Sequence, residues 1–137
     1  MSLQPLFQAL RVFVVATRVL RGFRRTPPAV DPANDQAVIL KLKLPSGESA
    51  CSEETQRIEG LEERIEEEID ELQTGEYDRD EYGDGFCTIY MYGPNADSLY
   101  SSIQPILNSF PFLPGSYALK RYGKPGSPQV QIPMAGE

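Results

Sequence analysis

The chain has 137 residues, a formal net charge of −7 and no histidine. The absence of histidine excludes Ser-His-Asp and Cys-His nucleophilic centres and imidazole zinc sites. The two cysteines, Cys51 and Cys87, cannot form a four-thiolate zinc site. We predict that both are reduced, buried thiols, with a single disulfide as the alternative. The composition therefore predicts no catalytic residues, no metal site and no cofactor.

The first segment of the chain differs in charge from the remainder. Residues 1–30 contain five Arg and no acid, whereas the remainder carries twenty acids against eight Lys or Arg. We predict an amphipathic basic helix over residues 1–25 and a Pro-containing linker over residues 26–36. The arginines on one arc of this helix are Arg11, Arg18, Arg21 and Arg25. Three roles stay open: docking on its own domain or a second copy, contact with an anionic membrane surface, and organellar targeting.

A strand, an acidic helix and two further strands follow the linker. Apolar and polar residues alternate over residues 37–44, which predicts a half-buried strand. An apolar residue at every third or fourth position from Ser52 to Leu72 predicts a helix, which stops at Thr74-Gly75. Residues 76–82 form an acid-rich strand, and the turn Gly83-Asp84-Gly85 leads into a more apolar strand over residues 86–92.

The second half of the pattern contains one more helix and one more strand. Gly93-Pro94-Asn95 ends the preceding strand and opens a helix, which Pro105 should kink or shorten. A last strand covers residues 116–122, and residues 124–137 are predicted to be a flexible tail rich in Pro and Gly.

The order strand, helix, strand, strand, helix, strand predicts the fold class. Two β-α-β units with right-handed crossovers give an α+β, ferredoxin-like domain over residues 37–123. Its antiparallel sheet should have the order 4-1-3-2, with both helices on one face. The acid-rich second strand then lies at the sheet edge, where charge discourages pairing with another chain.

The first helix is a candidate surface for a protein partner. It carries ten acids against Arg57 and Arg64, with acids repeated at i, i+4. This pattern indicates either a solvated face or a docking surface for a basic partner. The predicted partner-binding residues are Glu59, Glu63, Glu66, Glu67 and Asp70.

The sheet face opposite the helices is a second candidate surface. Lysines and tyrosines on neighbouring strands resemble the chemistry of a platform for single-stranded nucleic acid, although the acidic body of the domain opposes phosphate. Coverage by the N-terminal helix or a second subunit is the alternative. The predicted sheet-face residues are Lys41, Lys43, Tyr90, Tyr92, Lys120 and Tyr122.

Three short motifs resemble those of a family of small, uncharacterised bacterial proteins. They are Gly75-Glu76-Tyr77-Asp78, the YMYGPNAD segment of residues 90–97, and Arg121-Tyr122-Gly123. The family pattern is YMYGP(D/N)AD, preceded by an aromatic-Asp-Gly; this chain has Asn95 where the family has Asp and Arg79 where it has Gly. Members look like ferredoxin-like domains of the kind found in regulators of RNA-degrading enzymes and in toxin-immunity proteins. The resemblance implies a fold and a bacterial origin, and it implies no catalytic residues.

Together these features predict a non-enzymatic interaction or regulatory domain that binds a protein partner or a second copy of itself. One alternative is single-stranded nucleic-acid binding on the sheet face. Another is a small enzyme using carboxylates and Tyr, which a pocket joining Glu76, Asp78 or Asp80 to Tyr90 or Lys43 would favour. We predict a cytoplasmic location; the N-terminal segment leaves a membrane-peripheral or organellar location as the alternative.

Overall fold

A computed structural model describes residues 33–45 and 52–134. The predicted N-terminal helix over residues 1–25, most of the predicted linker and Cys51 lie outside the described residues. The α+β class is confirmed, with two helices and one antiparallel sheet among the described residues. The elements are β1 (Gln36–Lys43), α1 (Ser52–Leu72), β2 (Glu76–Gly83), β3 (Phe86–Gly93), α2 (Ala96–Asn108), β4 (Tyr117–Arg121) and β5 (Gln129–Pro133).

The sheet has five strands in the order β2-β3-β1-β4-β5, and every neighbouring pair is antiparallel. The expected order contained four strands only. The added strand, β5, lies in the segment predicted to be a flexible tail, where it pairs with β4 from Arg121↔Gln129 to Tyr117↔Pro133. A short strand that is mostly exposed and ends at Pro133 suits a sheet edge, since proline cannot donate to a further strand.

One hydrophobic core lies between the helices and one face of the sheet. The apolar stripe of α1 is buried, as are the apolar residues of α2 and the alternate residues of β1 and β3 that face the helices. The largest fully buried apolar side chains are Val38, Leu40, Ile65, Ile69, Cys87, Ile89, Met91, Leu99 and Ile103. Both helices therefore occupy one side of the sheet, and no described helix covers the other side.

Two local backbone features set the geometry of β2. Residues Asp84 and Gly85 have φ values of 56° and 82°, so a tight two-residue turn joins β2 to β3. A β-bulge between Tyr77 and Arg79 shifts the β2–β3 register and leaves Asp78 buried between them. Within the described residues, neither helix is long and apolar enough to span a lipid bilayer.

Candidate functional site

An acidic ridge runs along the solvent side of α1. It consists of Glu59, Glu63, Glu67 and Asp70, which share one arc of the helix at 100° per residue. Glu59 and Asp70 are exposed, and Glu63 and Glu67 are half-exposed. None of the four forms a salt bridge with a described residue. The described part of the chain thus leaves this negative charge without a cationic partner.

Glu66 was predicted to belong to this surface, and that prediction is wrong. Its exposed fraction is 8%, and that of Glu62, one turn earlier, is 0%. Both residues lie on the arc between the apolar stripe and the acidic ridge, at the edge of the helix–sheet interface. Angular position on the helix, and not the run of acids in the sequence, separates the buried acids from the exposed ones.

The buried Glu62 meets Asp80 of β2 and Cys87 of β3. The two carboxylates and the thiol sulfur have atoms within 4.8 Å of one another. Within the part of the chain that the structure describes, this is the group of side chains whose spacing could hold a metal ion. Cys87 is a free, buried thiol, as predicted. Burial, reinforced by the two carboxylates, raises the pKa of Cys87 to about 12, so the thiol is protonated at neutral pH. A protonated thiol is a poor metal ligand and a weak nucleophile.

Sequence reasoning missed this cluster, although the position of Glu62 could have located part of it. Glu62 flanks the apolar stripe of α1, and Asp80 pairs with the core residue Ile89, which places it on the helix side of β2. Tyr82, two residues further on, lies on the same side, and burial raises its pKa. Because side chains alternate between the two faces of a strand, Asp80 and Tyr82 both lie on the helix side of β2. Polar groups therefore lie at the edge of the hydrophobic core beside this strand.

The face of the sheet away from the helices is basic and aromatic, and we call it the open face. Lys41, Lys43, Tyr90 and Tyr92 lie on it as predicted, because they alternate with core residues. The structure adds Phe86 from β3, Arg79 from β2, and Tyr117, Leu119 and Arg121 from β4.

The placement of Lys120 and Tyr122 on the open face is wrong. Lys120 pairs with the core residue Val38 in the β1–β4 register, so its side chain lies on the helix side. Its ammonium forms a 2.8 Å salt bridge with Asp97 and lies 5.4 Å from the ring centroid of Tyr100. Tyr122 donates a 2.8 Å hydrogen bond to the same Asp97 carboxylate.

Cations of the open face lie beside its aromatic rings. The Nζ atoms of Lys41 and Lys43 lie 5.3 Å and 5.0 Å from the ring centroid of Phe86. The guanidinium carbon of Arg79 lies 4.4 Å from the ring centroid of Tyr90. Each distance is within the range of a cation–π interaction, so the face repeats a ring with a positive charge next to it.

The motif residues of the resemblance meet at one corner of the domain. Gly75 and Gly93 lie in close contact, where β2 begins and β3 ends, and both pack against Leu99. Asn95 caps α2 by accepting a 3.0 Å hydrogen bond from the backbone N–H of Ser98. The Asp97 carboxylate, in the first turn of α2, accepts hydrogen bonds from Lys120 and Tyr122, which hold the pKa of Asp97 below its ordinary range. These residues join strand ends and a helix start.

A groove lies at the end of β1 opposite the corner of the motif residues. It is lined mainly by apolar residues of β1, α1 and the loop after α2, with Lys43, Glu54 and Arg57 at its margins. Glu76, Asp78, Asp80 and Tyr90 do not line it. The described groove therefore does not bring Lys43 together with the carboxylates that the enzyme alternative names.

No known protein-family model, curated protein or solved structure matches this sequence. The surfaces described above are therefore the basis for assigning a function. They define the chain as an α+β domain with an acidic ridge on its helix layer and a basic, aromatic open face on its sheet.

Proposed function

We propose that the chain is a non-enzymatic interaction domain that binds a basic protein segment along the acidic ridge. The fold we propose for it is a ferredoxin-like domain extended by β5, since β2-β3-β1-β4 reads 4-1-3-2 from the other edge of the sheet. A cytoplasmic location, predicted above, is part of the same proposal.

The observation that carries the proposal is the unneutralised charge of the ridge. Like charges at i, i+4 destabilise a helix by roughly 0.2–0.5 kcal/mol for each pair, and the ridge contains the pairs Glu59/Glu63 and Glu63/Glu67. The last turn of α1 contains Asp70 and Glu71 and no base, although the negative end of the helix dipole disfavours acids there. A cationic segment bound along the ridge would relieve both costs.

The rigidity of α1 also supports a role in recognition. Its apolar stripe is fully buried at Ile65 and Ile69 and nearly so at Ile58 and Leu61. The exposed acids are therefore held in a fixed spacing along one helix, which limits the side-chain and backbone ordering required on binding.

The motif residues of the corner have structural roles, so the motif itself supports no catalytic assignment.

The experiment measures binding of a short oligo-arginine peptide to the full chain by fluorescence anisotropy at several salt concentrations. The variant Glu63→Gln/Glu67→Gln removes two ridge charges and leaves the helix propensity nearly unchanged. At about 0.2–1 kcal/mol for each exposed ion pair, the peptide should bind roughly 2- to 30-fold more weakly at low salt. The dependence of affinity on salt should also become flatter.

The matched control is Ser101→Lys/Gln104→Lys, which makes the same change in net charge at two exposed positions of α2. At physiological ionic strength, binding by this control should stay within about twofold of the wild type, because screening there limits long-range charge effects. Equal weakening by both variants would mean that net charge alone attracts the peptide, and the proposed ridge site would then be wrong.

A further inference from the structure

We propose that the open face is a binding surface for single-stranded nucleic acid. This site lies on the other side of the sheet from the acidic ridge and goes beyond the proposed function, because it takes a different ligand and uses different residues.

The three central strands of the sheet bring cations and no acid to the open face. β1 contributes Lys41 and Lys43, and β4 contributes Arg121. The acids on this face, Glu76 and Glu81, lie on the edge strand β2. Arg79 of the same strand forms salt bridges with Glu81 and with the buried Asp78, so it adds little positive charge to the face. The centre of the face is thus positive in a chain whose net charge is −7.

The acidic ridge does not cancel this local charge. It lies on the side of α1 that faces solvent, so the width of a helix, about 10 Å, separates it from the sheet. At physiological ionic strength the Debye length is about 8 Å, which screens charges at such a separation. A phosphate at the open face would therefore respond mainly to Lys41, Lys43 and Arg121, since Arg79 is already paired with carboxylates of β2.

Aromatic rings follow the same strands. β3 contributes Phe86, Tyr90 and Tyr92, and β4 contributes Tyr117, whose ring centroid lies 6.1 Å from that of Phe86 in an edge-to-face arrangement. Side chains two positions apart on a strand, such as Tyr90 and Tyr92, are separated by roughly 6.6 Å. That separation is about twice the 3.4 Å rise per nucleotide of a stacked strand, so bases reach successive rings only when they are unstacked.

Rings alternate with cations, which distinguishes nucleic acid from an acidic protein segment as the ligand. Lys41 and Lys43 flank Phe86, and Arg79 lies over Tyr90. A nucleic-acid strand repeats a planar base and a phosphate in every residue, which matches a surface that repeats a ring and a positive charge. An acidic peptide supplies the negative charge without planar groups to stack.

The first experiment measures anisotropy of labelled oligo(dT) with the full chain as salt increases. The variant Lys41→Gln/Lys43→Gln should weaken binding about tenfold at low salt and reduce the slope of log K against log salt by about 1.4, at 0.7 for each phosphate contact. The control Arg57→Gln/Lys124→Gln removes the same charge from two exposed positions outside the face and should leave the slope unchanged.

The second experiment separates stacking from charge. Tyr92→Leu removes the aromatic ring and leaves an apolar side chain at the same position of β3. The affinity of this variant for oligo(dT) should fall at least fivefold, and the slope of log K against log salt should not change. Tyr122→Leu, on the helix side of the sheet, is the control and should bind as the wild type does. Thermal melts of all variants confirm that the compared proteins are folded.

Three results would overturn this inference. The first is equal affinity for a duplex of the same length, because a duplex hides the faces of its bases. The second is an unchanged salt slope in Lys41→Gln/Lys43→Gln, which would place the contact elsewhere, including the arginines of residues 1–30. The third is displacement of the oligonucleotide by poly-glutamate together with no effect of Tyr92→Leu, which would identify an acidic protein as the ligand.

Discussion

Replacing Gly93 by alanine tests the close packing of the corner where β2 begins and β3 ends. A Cβ at this position would overlap the backbone carbonyl oxygen of Thr74 and lie 3.4 Å from a methyl carbon of Leu99. A backbone carbonyl cannot move aside as the end of a flexible side chain can. The substitution should therefore cost about 1–3 kcal/mol, the range measured for overpacked cores. For a domain of this size, each kcal/mol lowers Tm by about 4–8 °C.

Two further glycines supply the comparison. Gly75→Ala should be destabilising to a similar degree, because its Cβ would overlap the carbonyl oxygen of Tyr92. Gly60→Ala, inside α1, should stabilise by about 0.5–1 kcal/mol, because the added Cβ has no atom within 4 Å apart from its chain neighbours and the backbone of its own helix. Urea unfolding and thermal melts measure all three. A Gly93→Ala protein that melts at or above the wild-type temperature would refute the packing argument.

Three other predictions concern single side chains. Asn95→Ala removes the cap of α2 and should lower the free energy of unfolding by about 1 kcal/mol in urea; an unchanged midpoint would contradict the cap. Hydrogen bonds from Lys120 and Tyr122 depress the pKa of Asp97, so the stabilisation they give is present at neutral pH and is lost as pH falls through the folded-state pKa of Asp97. In Asp97→Asn, the free energy of unfolding should therefore fall less steeply as the pH is lowered. In a Cys51→Ser background, a thiol reagent at pH 8 should modify Cys87 only after the protein unfolds, because the Cys87 thiol is buried and its pKa is raised. Rapid labelling of the native protein would contradict this.

The sequence predicted the elements whose side-chain periodicity and turn chemistry agree. The stripe Ile58, Leu61, Ile65 and Ile69 has one period throughout, and all four residues are buried. The pair Asp84-Gly85 has the composition that a tight hairpin turn requires, and both residues have positive φ. In these segments local preference and tertiary packing favour the same structure.

Other features depend on contacts that the sequence does not display. The strand β5 is short and mostly exposed, so it forms by hydrogen bonding to β4 and not through an apolar pattern of its own. The interpretation of Lys120 as a sheet-face residue failed because the face of β4 depends on register with β1, and Ala118 marks the core side only weakly. Glu66 was misplaced because the acids of α1 follow one another in the sequence, and the sequence does not show that Glu62 and Glu66 lie on the buried side of the helix, next to β2.

The position of the motif residues explains why a motif can indicate a fold without indicating a ligand. Gly75 and Gly93 permit two strand ends to approach, Asn95 starts α2, and Asp97 ties α2 to Tyr122 at the end of β4. Each of these roles is geometric, and each would be required whatever the domain binds. The surfaces proposed for binding, the acidic ridge and the open face, consist largely of residues outside these roles and differ in charge. The proposed functions therefore depend on side chains other than those that build the corner.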